Sequence, residues 1–495
     1  MYKPTIGLEI HVELATTTKM FCDSVNNPDE EKPNTNVCPV CMGHPGTLPT
    51  INKKAVEYVI KVGLAIGAKI NPVTKFDRKN YFYPDLPKGY QISQYDMPLV
   101  VGGELNGVKI TRIHLEEDAG KLVHAPDGKS TFVDFNRAGV PLMELVTEPV
   151  IHSAAEAVAF AKELQLVFRY LGVSEADLER GQMRADANIS MSQTETLGTR
   201  TEIKNLNSWS SIEAAINYEI KRQTEVLESG GEVKQETRGW DTIKNVSKIQ
   251  RSKEQAHDYR YFPEPDLPPF ETAVFEIERL QREMPELPAQ KRERIKSEYG
   301  IEIPAYLAVL VQDKKLAEFF EDSISELRAW KNALSEDEKT KFKVVADEDG
   351  MSEDKALVGM AANYLANDIV GLLAEMRIPF GECPVTPENF AEFIILLRKG
   401  TITSRVAKNI LRKMVEKKAD PHDVLEEEGL HTVSDESALI ETVREVISEN
   451  PKASDDYKAG KAASMQFMLG KAMSKLKGRG DPGVLKGLFE QELAK

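Results

Sequence analysis

Residues 6–14 alternate apolar and polar side chains with the period of a β-strand, so successive side chains must face opposite ways. Five branched aliphatic side chains share one face of this strand: Ile6, Leu8, Ile10, Val12 and Leu14. The opposite face carries Glu9, His11 and Glu13. The chain therefore needs a sheet with one buried apolar face and one acidic face. Water alone can satisfy such an acidic face, so this strand by itself does not indicate a site.

Two further segments predict similar polar faces. Residues 184–190 place Arg184, Asp186, Asn188 and Ser190 on one side of a strand, and residues 113–118 set three acids beside His114. If these strands are neighbours, carboxylates about 4 Å apart repel by roughly 4 kcal/mol at an effective dielectric near 20, so they need a cation. Oxygen ligands with an imidazole and no thiolate suit Mg²⁺ or Mn²⁺. The pattern therefore favours ATP chemistry at a divalent metal.

This ATP chemistry has to proceed without a phosphate-binding loop. Gly128-Lys129-Ser130 resembles the end of such a loop, but Val123 stands where its first glycine is required, which indicates a hairpin turn instead.

The length, net charge and cysteine count limit the classes to which this protein can belong. With 495 residues the chain has room for about three domains. A net charge of −15 argues against coating nucleic acid non-specifically but permits a local basic patch. Four cysteines do not make a disulfide scaffold. The start runs straight into the first strand, and no apolar run approaches roughly 18 residues, so we expect a cytoplasmic protein without a membrane partner.

Cys38-x-x-Cys41 is half of a zinc knuckle, and Cys22 is a candidate third ligand. A fourth ligand is not obvious, since Ser24 stands where a further cysteine would be useful and only His44 or water remains. A bound Zn²⁺ and three reduced thiols that pack a loop are both compatible with this spacing.

Strand and helix signals mix irregularly up to about residue 290, which predicts an α+β domain with a largely antiparallel sheet. Asn52, the capping box at residues 153–156 and a second box at residues 210–213 each predict a helix start. Beyond that point the composition indicates helices only, with a break near Gly400. We therefore predict a catalytic domain at 1–290, a helical domain at 291–400 and a helical tail at 401–495.

Two kinds of segment suggest contacts with nucleotides or RNA. Residues 76–96 are rich in aromatic and basic side chains, which can contact phosphates, stack on a base or merely pack a loop-rich edge. Residues 258–266 offer a further arginine, Arg260. In the tail, Lys471, Lys475 and Arg479 recur at i, i+4 and i+8. Such a stripe is usually a solvated helix face. On an acidic chain it is also where RNA phosphate contacts are expected.

Seven blocks together resemble the B subunits of the tRNA-dependent amidotransferase, and the resemblance runs over the whole chain: residues 7–14, 38–41, 76–83, 114–121, 184–190, 204–207 and 258–266. The resemblance implies a cradle related to glutamine synthetase, a helical domain and a tail that touches tRNA. It also implies a heterotrimer with an amidase-type A subunit and a small C subunit. There, ATP phosphorylates the side-chain carboxylate of Glu-tRNA(Gln) or Asp-tRNA(Asn), and ammonia channelled from the A subunit displaces the phosphate.

The resemblance also implies roles for single residues. His11 and Glu117 would bind Mg²⁺ directly, with Glu9 and Asp186 close by, and these four would be the catalytic residues. Lys204, Arg184 and Lys79 would contact the nucleotide, and the basic stripe would contact tRNA.

At two places the residues of this chain do not fit the family pattern directly. Strict alternation puts Glu116, not Glu117, beside His114, and only a β-bulge would reconcile the two. Zinc-bearing relatives have a Cys-x-Cys pair where this chain has Cys22-Asp23-Ser24, so the set of four thiolates is incomplete.

The alternative function is a non-catalytic RNA-binding or scaffolding subunit. The concentration of acids and histidine on strand faces favours the enzyme, since a scaffold does not require it. The sequence has no persuasive glutaminase signature of the amidase or thiol type, so a partner must supply the ammonia.

Overall fold

The computed structural model describes residues 2–252, 259–333, 353–433 and 435–495. The chain divides into two compact units, Met1–Pro288 and Ala289–Lys495. The α+β class is confirmed, because the N-terminal unit is built on a sheet and the described C-terminal residues form helices. The division into three domains stays a prediction.

The strands of the N-terminal unit are β1 (Lys3–Glu13), β2 (Lys69–Ile70), β3 (Val73–Thr74), β4 (Asp77–Asn80), β5 (Tyr90–Ser93), β6 (Val100–Val101), β7 (Glu104–Leu105), β8 (Val108–Glu117), β9 (Lys121–His124), β10 (Thr131–Asp134), β11 (Pro141–Thr147), β12 (Met183–Ser192), β13 (Thr201–Leu206), β14 (Glu236–Asp241), β15 (Val246–Ser252), β16 (Phe262–Pro263) and β17 (Phe270–Glu271). Its helices are α1 (Lys53–Ala65), α2 (Ala154–Leu171), α3 (Trp209–Glu228) and α4 (Ile277–Arg282), with a 3₁₀ turn at Thr272–Phe275.

Ten of these strands form one sheet, in the order β15-β14-β13-β12-β1-β11-β8-β6-β2, with β7 paired to β8. The strands pair antiparallel except for the parallel β13–β14 pair, as predicted. Strands β16, β4 and β5 make a separate small sheet, and β9 and β10 form a hairpin around the predicted turn at Gly128.

The apolar face of β1 is the centre of the core. Ile6, Leu8, Ile10, Val12 and Leu14 are at most 1% exposed and belong to one cluster with side chains of α1, α2 and α3. Since α1–α3 cover this face, the alternation in sequence leaves Glu9 and His11 on the other face of the sheet.

Two of the three predicted helix starts are confirmed. Asn52 accepts hydrogen bonds from the amides of Lys54 and Ala55 at the start of α1, and Ser153 caps α2, which ends at Gly172 in the left-handed region. The start of α3 is not where we predicted it. Its cap is Ser208, whose hydroxyl accepts from the Ser211 amide, so the helix begins two residues earlier than the box at Ser210 suggested.

The C-terminal unit contains α5 (Pro288–Tyr299), α6 (Pro304–Val311), α7 (Lys314–Ala333), α8 (Glu353–Asn363), α9 (Val370–Met376), α10 (Pro387–Arg398), α11 (Ser404–Lys417), α12 (Pro421–Glu428), α13 (Glu436–Glu449), α14 (Pro451–Lys458), α15 (Ala462–Lys475) and α16 (Pro482–Leu493). A π turn at Tyr364–Ile369 joins α8 to α9, and Phe380–Glu382 is a 3₁₀ turn. Helix α10 packs on α7, while α13, α15 and α16 share a core built around Val443, Met468 and Phe489.

One described segment, Glu353–Met376, is long and apolar enough to cross a membrane, although the sequence led us to expect none. Half of its most apolar stretch is buried inside the protein, and Ala361, Leu365 and Ile369 are fully buried. A core helix of a soluble protein has the same properties, so this segment is weak evidence for a membrane span.

Candidate active site

The register of four adjacent strands, β12, β1, β11 and β8, places polar side chains next to one another on the uncovered face of the sheet. Glu9 of β1 is opposite Asp186 of β12, and His11 is opposite Arg184. On the other side of β1, His11 is opposite Glu144 of β11. Glu144 is in turn opposite His114 of β8, and Leu142 is opposite Glu116. The predicted convergence of residues distant in sequence is therefore present.

Five of these side chains form a histidine–carboxylate cluster: Glu9, His11, His114, Glu116 and Glu144. The Nε2 atom of His11 lies 3.3 Å from Glu144, and 3.8 Å from both Glu9 and Glu116. The Nε2 atom of His114 lies 3.3 Å from Glu144 and 3.8 Å from Glu116. Glu144 thus contacts both imidazole rings and belongs to two possible sets of metal ligands.

Burial and charge act against each other in this cluster. Burial favours the neutral ring of His114, but Glu144 and Glu116 outweigh it and raise the pKa of His114 to about 9. Burial likewise opposes charge on Glu144, yet His114 and His11 hold the pKa of this carboxyl well below its usual range. Burial, followed by the nearby Glu144 charge, raises the pKa of Glu9. Without a metal, the neighbouring carboxylates therefore outweigh burial at both rings and raise the pKa of His11 as well as that of His114.

Predicted nucleotide-binding cations lie along the same cleft. Lys79 Nζ is 3.6 Å from Glu116, and Lys204 Nζ is 2.5 Å from Asp186 and 3.1 Å from Glu202. Burial lowers the pKa of Lys204, but these two carboxylates outweigh it and raise the pKa overall.

The third predicted cation is also paired with a carboxylate. Arg184 donates a hydrogen bond to Asp118, which also lies 3.6 Å from Arg137. Each of the three predicted cations is thus held in place by an acid.

The cleft is open, and about 870 Å³ of space lies within it when the part open to solvent is included. Its lining includes five predicted site residues and Glu116: His11, Lys79, Glu116, Arg184, Asp186 and Lys204. Glu9 adjoins it through His11. The cleft is wide and polar, with both signs of charge on its walls.

Glu117 does not join this cluster, so the prediction that it lies beside His11 is wrong. Its carboxylate accepts hydrogen bonds from Lys88 Nζ at 2.6 Å and from the Ile92 amide at 2.9 Å, within a different cavity. The pairing of β8 with β11 runs without interruption from His114 to Glu117, so no bulge turns Glu117 towards His11. Alternation along β8 instead places Glu116 in the cleft.

The three predicted zinc ligands do lie together. The Sγ atoms of Cys22, Cys38 and Cys41 are all within 4.8 Å of one another. The buried Lys19 has its Nζ 3.8 Å from Cys41 Sγ, and Ser24 Oγ is also 3.8 Å from it. A hydrogen bond from Cys22, helped by the Cys38 amide and Lys19, lowers the pKa of Cys41 to about 4. Among the residues described, this group includes no fourth cysteine, histidine or acid.

The basic stripe of the tail is largely engaged within its own unit. Lys475 lies 2.9 Å from Glu445 and 2.7 Å from Glu449. Arg479 donates to the Gly429 carbonyl, and Lys471 lies over the ring of Phe467. The three residues are thus not a uniform free surface.

Sequence reasoning missed Glu144. Of the pair at 116 and 117, strand alternation favoured Glu116, which lies in the cleft, whereas the family resemblance implied Glu117. The signal for Glu144 was a single acid inside the otherwise apolar strand Pro141–Thr147. An isolated charge in such a strand has to face either a partner or a site. Within the aromatic segment at 258–266, Asp258 lies outside the described residues.

Known families and relatives match this chain over nearly its whole length. A family model described as "GatB/GatE catalytic domain" matches residues 4–277, and one described as "GatB domain" matches residues 350–493. A protein of Moorella thermoacetica is 42% identical over 99% of this chain and 100% of its own length. Proteins of Symbiobacterium thermophilum and Thermodesulfovibrio yellowstonii are each 44% identical over 99% of this chain and 98% of their own lengths. All three carry the name of the B subunit of aspartyl/glutamyl-tRNA(Asn/Gln) amidotransferase.

Proposed function

The chain belongs to the family of aspartyl/glutamyl-tRNA(Asn/Gln) amidotransferase B subunits, and from this premise we propose how the cleft of its N-terminal unit activates the tRNA-bound carboxylate. The chain is a subunit of a glutamine-hydrolysing tRNA amidotransferase, a carbon–nitrogen ligase of protein biosynthesis. Its substrates are Glu-tRNA(Gln), Asp-tRNA(Asn) or both, and its cosubstrate is ATP.

The reaction has two bond-forming steps. An oxygen of the side-chain carboxylate bonds to the γ-phosphorus of ATP, and ADP leaves with the electrons of the broken bond. Ammonia then bonds to the carbonyl carbon, and inorganic phosphate leaves. The first step is required because a free carboxylate would have to expel oxide, whereas an acyl phosphate expels a stable anion.

The ligand atoms of Glu9, His11 and Glu144 fit a Mg²⁺ ion, since they lie within 4.8 Å of one another and offer two carboxylates and an imidazole. We place the cation on these three residues, with Asp186 on the neighbouring strand, because Glu116 already faces Lys79. When bound, it would offset charge on the transferring phosphoryl oxygens.

The cations of the cleft hold the phosphates. Lys204, Arg184 and Lys79 come from three different strands, and each is oriented by an acid before substrate arrives. Positioned donors of this kind stabilise developing charge without reorganising during the reaction. Asp186, Asp118 and Glu116 therefore act here as positioning residues.

The observation that carries the proposal is the position of His11 between three carboxylates in a cleft that also holds Lys204. Its test uses the complete complex carrying Glu144→Gln or His11→Ala, assayed for γ-phosphate transfer to misacylated tRNA. We expect a loss on the order of 100-fold or more, the effect of removing preorganised charge stabilisation. Mn²⁺ binding by the chain, followed by electron paramagnetic resonance, should weaken in parallel.

Glu148→Gln is the matched control, since Glu148 accepts a hydrogen bond from Thr111 outside the cluster. Full transfer by Glu144→Gln and His11→Ala would exclude the cluster from the reaction.

For the thiols we propose a Zn²⁺ site made by Cys22, Cys38 and Cys41. Three thiolates and Zn²⁺ carry one net negative charge, which the buried Lys19 ammonium balances. Purified chain should contain about one zinc per molecule, and Cys41→Ser should lose it. Metal analysis that finds no zinc in the wild-type chain would leave three packed thiols as the correct description.

The name shared by the relatives implies an enzyme of several subunits. We propose that an amidase-type A subunit hydrolyses glutamine and delivers ammonia, that a small C subunit completes the complex, and that the protein works in the cytoplasm. The isolated chain should then release no ammonia from glutamine, while the complex should. Hydrolysis by the isolated chain would contradict this assignment.

A further inference from the structure

A row of tyrosines leads outward from the cleft, and the reaction as proposed assigns it no role. Tyr81, Tyr95, Tyr259 and Tyr261 form this aromatic rim. Tyr81 lines the cleft and meets Tyr259 edge-on, with ring centroids 5.7 Å apart. Tyr259 meets Tyr261 at 6.2 Å, and Tyr261 stacks on Tyr95 at 4.4 Å with 12° between the rings.

The small sheet β16-β4-β5 brings these rings together. Tyr81 follows β4, Tyr95 follows β5, and Tyr259 and Tyr261 precede β16. The Asn80 amide donates to the Tyr259 carbonyl at 2.8 Å, and the Asn80 side chain donates to the Arg260 carbonyl at 2.9 Å. The row is therefore built on a paired backbone rather than on a loose loop.

The rim is continuous with the reacting end of the cleft. Lys79 connects the two, since its Nζ is 3.6 Å from Glu116 and 5.2 Å above the ring of Tyr259. At the other end of the row Tyr95 is 61% exposed. At the cleft end, Phe82, which follows Tyr81 in sequence, is 89% exposed. An exposed aromatic surface of this kind beside a polar cleft indicates a binding surface.

The chemical structure of the aminoacyl-tRNA indicates which part of it lies at the aromatic rim when its carboxylate is in the cleft. The carboxylate that is phosphorylated is joined through the aminoacyl ester to the ribose of the last nucleotide, so only a few bonds separate it from a nucleobase. That nucleotide is unpaired, and unpaired bases bind proteins chiefly by stacking on aromatic side chains.

We propose that the aromatic rim holds the unpaired 3′-terminal end of the aminoacyl-tRNA, with a base stacked on the Tyr95–Tyr261 pair. This inference rests on the proposed function. It places the reacting carboxylate beside Lys79 and the histidine–carboxylate cluster.

Tyr95→Ala and Tyr261→Ala in the complete complex test the inference. We expect each to weaken binding of intact misacylated tRNA by about 5- to 150-fold, the effect of removing one base-stacking ring. Binding of the same tRNA trimmed of its terminal nucleotides should not change, and neither should the KM for ATP. Tyr95→Phe and Tyr261→Phe keep the ring and should retain binding.

Tyr95→Leu guards against a folding defect, because it keeps apolar bulk at an exposed position without a π face. Phe132→Ala is the matched control, since Phe132 is 63% exposed on β10 of the same unit. Both should fold normally, and Tyr95→Leu alone should weaken intact tRNA binding.

Several results would overturn the inference, among them equal losses for intact and trimmed tRNA, a raised KM for ATP alone, or failure to assemble with the partner subunits. The second would assign the rim to the adenine of ATP, and the third to a protein interface. Unchanged binding in all variants would overturn it as well. All of these results concern the rim variants and leave the proposed function intact. The proposed function would be contradicted instead if the wild-type complex failed to transfer the γ-phosphate to misacylated tRNA.

Discussion

Glu144 couples the two histidines of the cleft, because one carboxylate faces both rings from the strand between them. The same contacts that keep Glu144 ionised keep His114 protonated. Removing either the Glu144 carboxylate or its histidine partners leaves a buried charge without compensation, which is costly in a protein interior.

We therefore expect metal-free protein to lose stability between about pH 6.5 and 9. The pKa of His114 is raised from 6.5 to about 9 in the folded state, because Glu144 and Glu116 outweigh the opposing effect of burial. A raised pKa makes the stabilising contribution complete below 6.5 and removes it as the pH rises through 9. Thermal unfolding midpoints in the presence of a chelator measure this.

His114→Gln should flatten this pH dependence while lowering the midpoint at neutral pH. His152→Gln, at an exposed position, is the control and should leave the slope as it is. An unchanged slope in His114→Gln would mean that other groups cause it.

The sequence predicted much of the site at this scale, because alternation in β1 and β12 fixes the face of Glu9, His11, Asp186 and Arg184 without any knowledge of the fold. It did not predict which acids complete the cluster. Glu144 depends on the pairing of β11 between β1 and β8, which is a long-range contact. The strand period correctly favoured Glu116, whereas the family resemblance implied Glu117.

At the scale of elements, helix caps connect the active face to its surroundings. Asn52 caps α1 with its side-chain oxygen, while its amide nitrogen donates to the Thr18 and Lys19 carbonyls at 3.0 and 3.2 Å. One side chain therefore starts the helix under the sheet and fixes the segment that leads to the thiols.

We expect Asn52→Ala to destabilise the N-terminal unit by about 1–2 kcal/mol for the cap, and by about 1 kcal/mol more for the amide hydrogen bonds. Asn52→Asp keeps the acceptor and loses the donor, so its unfolding midpoint should fall between those of wild type and Asn52→Ala. Denaturant unfolding followed by circular dichroism is the measurement. Equal losses in the two variants would contradict a capping role.

The start of α3 shows why capping residues in a sequence predict the presence of a helix better than they predict its first residue. Ser208 and Ser210 are both suitable caps, and the pattern Ser210-x-x-Glu213 is the stronger of the two in sequence. The structure uses Ser208 because the helix then includes Trp209, which packs against the core. Tertiary packing, which sequence does not reveal, selects between the two serines.

At the scale of the whole molecule, a chain of net charge −15 has to bind polyanionic tRNA. Non-specific attraction is weak for such a chain, so a few local cations have to supply the phosphate contacts. Within the predicted tail stripe, Lys475 is already neutralised by Glu445 and Glu449, whereas the Lys471 ammonium lies over the ring of Phe467.

Lys471→Ala should therefore weaken tRNA binding and reduce the slope of log affinity against log salt by about one, if this residue contacts one phosphate. Lys475→Ala should have a smaller effect, since its ammonium is shared with two acids. Titrations of the complete complex at several salt concentrations test both. A larger loss for Lys475→Ala would contradict this ranking of the two lysines.

The alternating register of the four adjacent strands β12, β1, β11 and β8 also restricts how the gene can change. Deleting one codon within β1, β8, β11 or β12 would invert every later side chain of that strand, driving acids under the helices and aliphatic groups into the solvent. Length variation among descendants of this gene should consequently fall in turns such as the hairpin at Gly128, while the strands diversify by replacement alone.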